Sequence, residues 1–193
     1  MKAVKSGSGK SGSDPVFPVF GDPVFGAVDA GLDARVREIL SGVNDPEIPV
    51  ISVLDLGIVR GIAMTADGVE ISVTPTYAAC PATEVIAHDI CAALGAAGIR
   101  ATTVMRLHPP WTTDWITAHG RARLREYGIA PPAPADRERP QVVRMHARAK
   151  LPPACPLCAS VRTELLSQFG STACKALYRC LDCREPFDYF KPL

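Results

Sequence analysis

An α+β fold, with a small mixed sheet covered by helices and then a C-terminal four-cysteine metal ribbon, is what this 193-residue chain predicts. Three observations carry the prediction. Residues 29–128 alternate helical and strand periodicity in the order helix, strand, strand, helix, strand, helix, which packs as a sheet with helices on one face. Residues 129–153 hold six prolines, a linker composition. Beyond them stand two Cys-x-x-Cys knuckles, Cys155-Pro-Leu-Cys158 and Cys180-Leu-Asp-Cys183, with 21 residues between.

Composition sets the outer limits. The chain is 47% apolar and 21% charged, enough for a sizeable core. A net charge of +1 argues against a nucleic-acid or membrane-surface protein as a whole. No apolar run reaches membrane-span length. The N-terminus carries no pattern of a secretory signal, so the expected compartment is the reducing cytoplasm, where cysteines bind metals rather than pair.

Residues 1–28 are rich in Gly, Ser, Pro and Lys and repeat Asp-Pro-Val-Phe at 14–17 and 22–25. Such a segment buries too little apolar surface to offset its ordering entropy, and is expected to be a disordered arm. Gly7-Ser-Gly-Lys-Ser11 imitates a phosphate loop, but Val4 stands where the first glycine is needed and no strand precedes it.

The folded part opens with Leu32, Val36, Ile39 and Leu40 at helical spacing, stopped by Gly42. Asn44-Asp-Pro-Glu-Ile-Pro49 must then be loop or extended chain. Residues 58–64 and 69–74 read as strands about an Asp67-Gly68 turn. An Ala-rich helix over 83–95, a β-branched strand over 99–107 and an amphipathic helix over 112–127 complete the module. Residues 121–150 hold eight Lys/Arg against three Asp/Glu, a solvated linker or a strip for an acidic or phosphorylated ligand. Residues 154–193 are too few for an ordinary core, which fits a fold held by metal.

Two knuckles facing each other make a tetrahedral four-sulfur site from Cys155, Cys158, Cys180 and Cys183. That donor set suits Zn²⁺, and also a single iron or an iron–sulfur cluster. Cys174 is a fifth thiol near the ribbon, either a substitute ligand or a structural residue. In the first module, Cys80-Pro81 follows a strand and opens a helix. Proline at the first helical position places Cys80 at the N-cap, where N–H groups and the helix dipole are expected to lower its pKa. Cys80 is then a metal or redox site, or an inert, partly buried thiol. His88, His108 and His119 offer it no base that spacing can defend, and Cys91 belongs to core packing. Asp45, Glu47 and Asp55 flank the loop before the hairpin, as further metal donors or as turn residues. Trp111 and Trp115 read as core.

Asp45-Pro-Glu-Ile-Pro-Val-Ile-Ser-Val-Leu-Asp-Leu-Gly57, with Thr74-Pro-Thr-Tyr-Ala-Ala-Cys80-Pro81, resembles the metal–sulfur cluster biosynthetic domain of iron–sulfur assembly factors. That resemblance covers about residues 30–127. It implies that Asp45, Glu47, Asp55 and Cys80 handle iron or a cluster. Pro109-Pro-Trp-Thr-Thr-Asp-Trp-Ile116, the segment from Phe169 to Cys180, and Glu185-Pro-Phe-Asp-Tyr-Phe-Lys191 narrow the match. They are similar to the D-subunit family of the phenylacetyl-CoA epoxidase (ring monooxygenase) systems of aerobic bacterial phenylacetate catabolism.

What this second resemblance implies is an accessory component, not catalytic by itself. It would mature or maintain the di-iron or iron–sulfur centre of a partner. The implied partners are the oxygenase and reductase subunits, and a homodimer stays open. The chain has neither the Glu-x-x-His helix pair of a di-iron oxygenase nor a dinucleotide-binding glycine fingerprint. Two other readings remain. A rubredoxin-like electron relay uses the same four sulfurs. A zinc-ribbon nucleic-acid binder is weakened by a near-neutral ribbon, with six Lys/Arg from residue 150 onward against four acids.

Overall fold

A computed structural model describes residues 28–77, 80–132 and 152–192. The N-terminal arm with its Pro-Val-Phe repeats and most of the Pro/Arg-rich linker lie outside these residues. Among the described residues no helix is long and apolar enough to cross a membrane.

Asp29 starts helix α1 (Ala30–Leu40) by accepting the N–H groups of Gly31 and Leu32 on its carboxylate. The helix buries Val36 and Leu40. The two-proline loop follows. It closes on itself through an isolated bridge between Asn44 and Ser52 and a hydrogen bond from Asp45 N–H to Ile51 C=O. Strands β1 (Val59–Thr65) and β2 (Gly68–Val73) form the expected antiparallel hairpin, with Gly68 at φ +133° in the turn. Along β2, Val69, Ile71 and Val73 are buried in alternation, one face to the core.

Helix α2 (Thr83–Ala96) buries Ile86, Ile90 and Leu94, then returns the chain to β3 (Ala101–Met105), parallel to β2. The mixed sheet β1-β2-β3 agrees with the predicted architecture.

The last helix of the module differs from the expectation of one helix over 112–127. The chain makes a 3-10 turn at Thr113–Trp115, extends at Ile116 (ψ 124°), and restarts as α3 (Ala118–Glu126) under a Thr117 cap. Thr112 and Thr117 both occupy N-cap positions, so the helical periodicity runs on across the break between them. At Gly57 (φ +73°) a β-carbon would collide with the Trp115 carbonyl, so loop and 3-10 turn touch there.

A second correction concerns residue 129, where composition predicts a linker. Ile129 and Ala130 are buried and form β4 (Ile129–Ala130). This short strand pairs in parallel with β7 (Pro186–Phe190), Ile129 opposite Asp188 and Ala130 opposite Tyr189. With β5 (Thr163–Ser167) and β6 (Lys175–Cys180) the C-terminal sheet has the order β4-β7-β6-β5. The ribbon is thus bound to the first module by backbone pairing as well as by side chains. Phe190 and Cys174 belong to the large hydrophobic cluster of the first module, while Cys155, Cys180, Ala130 and Phe187 form a smaller one.

Candidate metal centre and a second thiol site

The four predicted ligands come together. Cys155, Cys158, Cys180 and Cys183 present sulfurs that all lie within 4.8 Å of one another. Cys155 Sγ is 3.8 Å from Cys183 Sγ, and Cys158 Sγ is 3.5 Å from Cys180 Sγ. A disulfide needs about 2.05 Å, and every cysteine of the described chain is free. Four sulfurs at about 2.3 Å from a tetrahedral metal stand about 3.8 Å apart, so the donor set fits a bound ion of that size. Arg162 reinforces the ribbon through a 2.7 Å ion pair with Asp182, which also accepts from Ser160.

The thiols do not ionise alike. Backbone N–H groups of Cys183 and Asp182 stabilise the Cys180 thiolate, together with the Cys158 and Cys183 thiols, and hold its pKa at about 6. The Glu185 N–H favours the Cys183 thiolate, but burial and the neighbouring sulfurs push it up to about 12. Four close thiols hold protons that a metal must displace.

Cys80 lies elsewhere, and its position corrects a prediction. α2 begins at Thr83 with Ala82 as cap, so Cys80 stands ahead of the N-cap and its carbonyl accepts from Thr83 N–H and Oγ1. Its thiol is raised, not lowered. Burial is the largest cause; a hydrogen bond from Ala82 N–H opposes it, and the carboxylates of Glu47 and Asp45 add to it. The dipole argument fails because the sulfur is part-buried and two carboxylates of a distant loop act on it.

Asp45 Oδ1 accepts from the N–H groups of Glu47 (2.8 Å) and Ile48 (2.9 Å), the turn chemistry expected of it. Asp45 is only 7% exposed, and burial raises its pKa against the pull of those two N–H groups and Lys175. Burial and the neighbouring Asp45 raise Glu47, with Lys175 opposing. Asp45 and Cys80 line one cavity of about 10 Å³ with Pro75, Thr76 and Thr83, room for a body the size of one water.

Asp55 does not line that cavity. Its carboxylate accepts from Thr117 Oγ1 and Ser52 Oγ and meets His119 Nδ1 at 2.9 Å, and its carbonyl accepts Thr117 N–H. Burial acts to raise it, yet these bonds together lower its pKa. Trp111 is core, as predicted: 4% exposed, with Nε1 donating to Leu56 C=O. Trp115 is half-buried beneath the Arg60 guanidinium, 3.5 Å from ring centroid to Cζ. Cys91 is only partly buried.

Cys174 is the residue that sequence reasoning places least well. It lies outside the four-sulfur group. It is 5% exposed within the first module's hydrophobic cluster, 3.1 Å from Thr172 Oγ1. Burial raises its thiol; Thr172 opposes this, and the same two carboxylates, Glu47 and Asp45, add to it. Lys175 beside it is buried and pairs with Asp188 at 3.3 Å. Burial, and then the charges of Cys80, Glu47 and Cys174, raise Tyr77.

Comparison with known proteins follows this division. Residues 139–191 match the PaaD zinc beta ribbon domain, and residues 33–104 match the iron-sulfur cluster assembly protein family. Over 160 residues the chain is 52% identical to an Escherichia coli (strain K12) protein assigned as the D-subunit of 1,2-phenylacetyl-CoA epoxidase; this covers 81% of the chain and 91% of the relative. A domain of unknown function from Bacillus anthracis superimposes with a TM-score of 0.45 at 20% identity, covering 49% of this chain and 92% of that one. A Mycobacterium tuberculosis protein described as associated with Fe–S complex assembly and repair superimposes with a TM-score of 0.30 at 37% identity, covering 53% and 90%. Kinship rests on the sequence relation and not on these superpositions. With its assembly-type module and its four-cysteine ribbon, the chain belongs to the D-subunit family of 1,2-phenylacetyl-CoA epoxidase.

Proposed function

We propose that this chain is an accessory component of a phenylacetyl-CoA epoxidase system that loads or maintains iron, or an iron–sulfur cluster, in a partner oxygenase or reductase. Cys80 is the transferring thiol and Asp45 and Glu47 its carboxylate neighbours; Asp55 positions the loop that carries them. The ribbon holds Zn²⁺ as a structural ion. The observation that carries the reading is the kinship: residues 33–104 match the iron-sulfur cluster assembly protein family, and the chain is 52% identical to a D-subunit relative. Cys80 and Asp45 share one small cavity, walled otherwise mainly by Leu56, Ile58, Val73, Pro75 and Ile86.

Cells lacking the native gene, supplied with the Cys80→Ala chain and grown on phenylacetate, test the reading. An iron-poor partner and slow growth are expected. A fully loaded partner from those cells overturns it. Elemental analysis of the chain purified anaerobically separates the electron-relay alternative, which requires iron and a reversible visible chromophore at the four-cysteine site.

A further inference from the structure

Among the described residues, exposed large apolar side chains concentrate in the ribbon, the smaller of the two modules: Leu157, Val161, Leu165, Leu166, Phe169 and Leu181. All but Leu157 follow strand β5. Leu165 and Leu166 lie on it, and Val161 precedes it. Leu181 stands beside its start, with its N–H bonded to Arg162 C=O. At its end the Ser167 hydroxyl holds the backbone of Phe169. From Val161 to Ser167 this apolar strip runs about 20 Å at ~3.3 Å per residue.

β5 is an outermost strand of the sheet β4-β7-β6-β5. The opposite edge is blunted, because β4 has two residues and runs into Pro131-Pro132. β5 carries neither proline nor lysine, and its single charge, Glu164, is held by Arg179 Nε at 2.7 Å. The register with β6 shifts between Leu165 and Ser167, so Leu166 has no residue opposite it. Leu165 and Leu166 are 46% and 48% exposed, an apolar pair at the middle of an open edge.

We propose that this edge is the contact surface of a homodimer. β5 of one chain lies antiparallel to β5 of a second copy, with Leu165 and Leu166 at the two-fold axis. The Val161 end of each copy then meets the Phe169 end of the other. Cys80 lines a cavity of the first module and takes no part, so the proposal does not rest on the function proposed for it.

The charges along the strip favour a second copy over a different partner. A surface that meets itself across a two-fold axis must be complementary to itself. Arg162 pairs with Asp182, and Glu164 with Arg179, so the strip holds equal numbers of each sign, balanced within the chain. Two such strips approach without repulsion, whereas a surface built for a charged partner carries an excess of one sign. The bulge at Leu166 stops a long regular ladder, and the blunted β4 edge offers no place for a third copy, so assembly closes at two.

Sedimentation equilibrium of the full, zinc-loaded chain tests this. A mass twice the 20.6 kDa of one chain is expected at micromolar concentration. Leu165→Asp with Leu166→Asp should weaken association by about a hundredfold or more while bound zinc is retained. A benzophenone amino acid in place of Leu166 needs no loss of the patch. Photolysis of mixed ¹⁴N and ¹⁵N chains should join peptides of different isotope within residues 161–181. A wild-type chain that stays at the mass of one copy overturns the proposal. So does a dimer that survives the double substitution, or cross-links between chains that fall outside residues 161–181. A single chain that uses these leucines to bind an oxygenase or reductase subunit overturns the second copy as occupant.

Discussion

The indole of Trp111 and the ring of Phe190 meet with centroids 5.9 Å apart and planes tilted by 49°. Trp111 belongs to the segment leading into α3 and Phe190 closes the last strand of the ribbon, so this one contact joins the two family modules. Both rings are buried, Phe190 completely. Phe190→Ala should lower stability by about 3–5 kcal/mol, the range for emptying an aromatic core site. Urea denaturation of the zinc-loaded chain measures it; a loss below about 1 kcal/mol would mean the modules barely depend on this contact.

Cys180→Ser removes one of four sulfurs from a ribbon whose folding depends on its ion. Metal content should fall by one equivalent, and trypsin should open residues 155–192 at Arg162, Lys175, Arg179 and Arg184 while residues 30–126 persist. Elemental analysis and mass spectrometry of the digest report both. Cys174→Ser should leave that ribbon equivalent in place, because Cys174 lies outside the four-sulfur group.

Cys80 should be a slow nucleophile at neutral pH. Its folded-state pKa is raised, first by burial and then by Glu47 and Asp45, against a hydrogen bond from Ala82 N–H, so less of it is thiolate at a given pH than of an ordinary cysteine. Asp45→Asn removes one negative charge but keeps an oxygen for the turn N–H groups. Iodoacetamide labelling of Cys80 at pH 8, followed on its own peptide, should then run several-fold faster. An unchanged rate would remove Asp45 from the electrostatics of the thiol.

Asp55 gives an acid-side signature. Its folded pKa lies below its unfolded value near 4, so its contribution is fully present above that value and is lost as pH falls through the folded one. Asp55→Asn should cost about 1–2 kcal/mol at pH 7, by weakening the bonds to Thr117, Ser52 and His119. It should also flatten the loss of stability below about pH 4. Denaturation curves of both proteins at pH 7 and pH 3.5 check the two statements together.

Local chemistry is legible in the residues, and long-range placement is not. The Asp67-Gly68 turn and the Cys-x-x-Cys knuckles each act over a few residues, and the structure repeats them. The break before α3 escapes periodicity because Thr112 and Thr117 both satisfy cap rules. β4 escapes it because two apolar residues ahead of a proline pair carry no period at all. The direction of the Cys80 pKa shift is hidden because burial and the charges of Asp45 and Glu47 arrive from across the fold. Cys174 stands six positions before Cys180 of the four-sulfur group, and no local signal marks that it joins the first module's core instead of the ribbon's sulfurs.

Strand β6 begins at Lys175, next to Cys174, and ends at Cys180 in the four-sulfur group. At about 3.4 Å per residue it spans roughly 17 Å, in unbroken register with β7. Such a strand works as a stiff rod fixed at both ends. Loss of an ion at the ribbon would free one end, so order in the four-cysteine group becomes a mechanical condition on the packing of Cys174 and Phe190 in the first module's core.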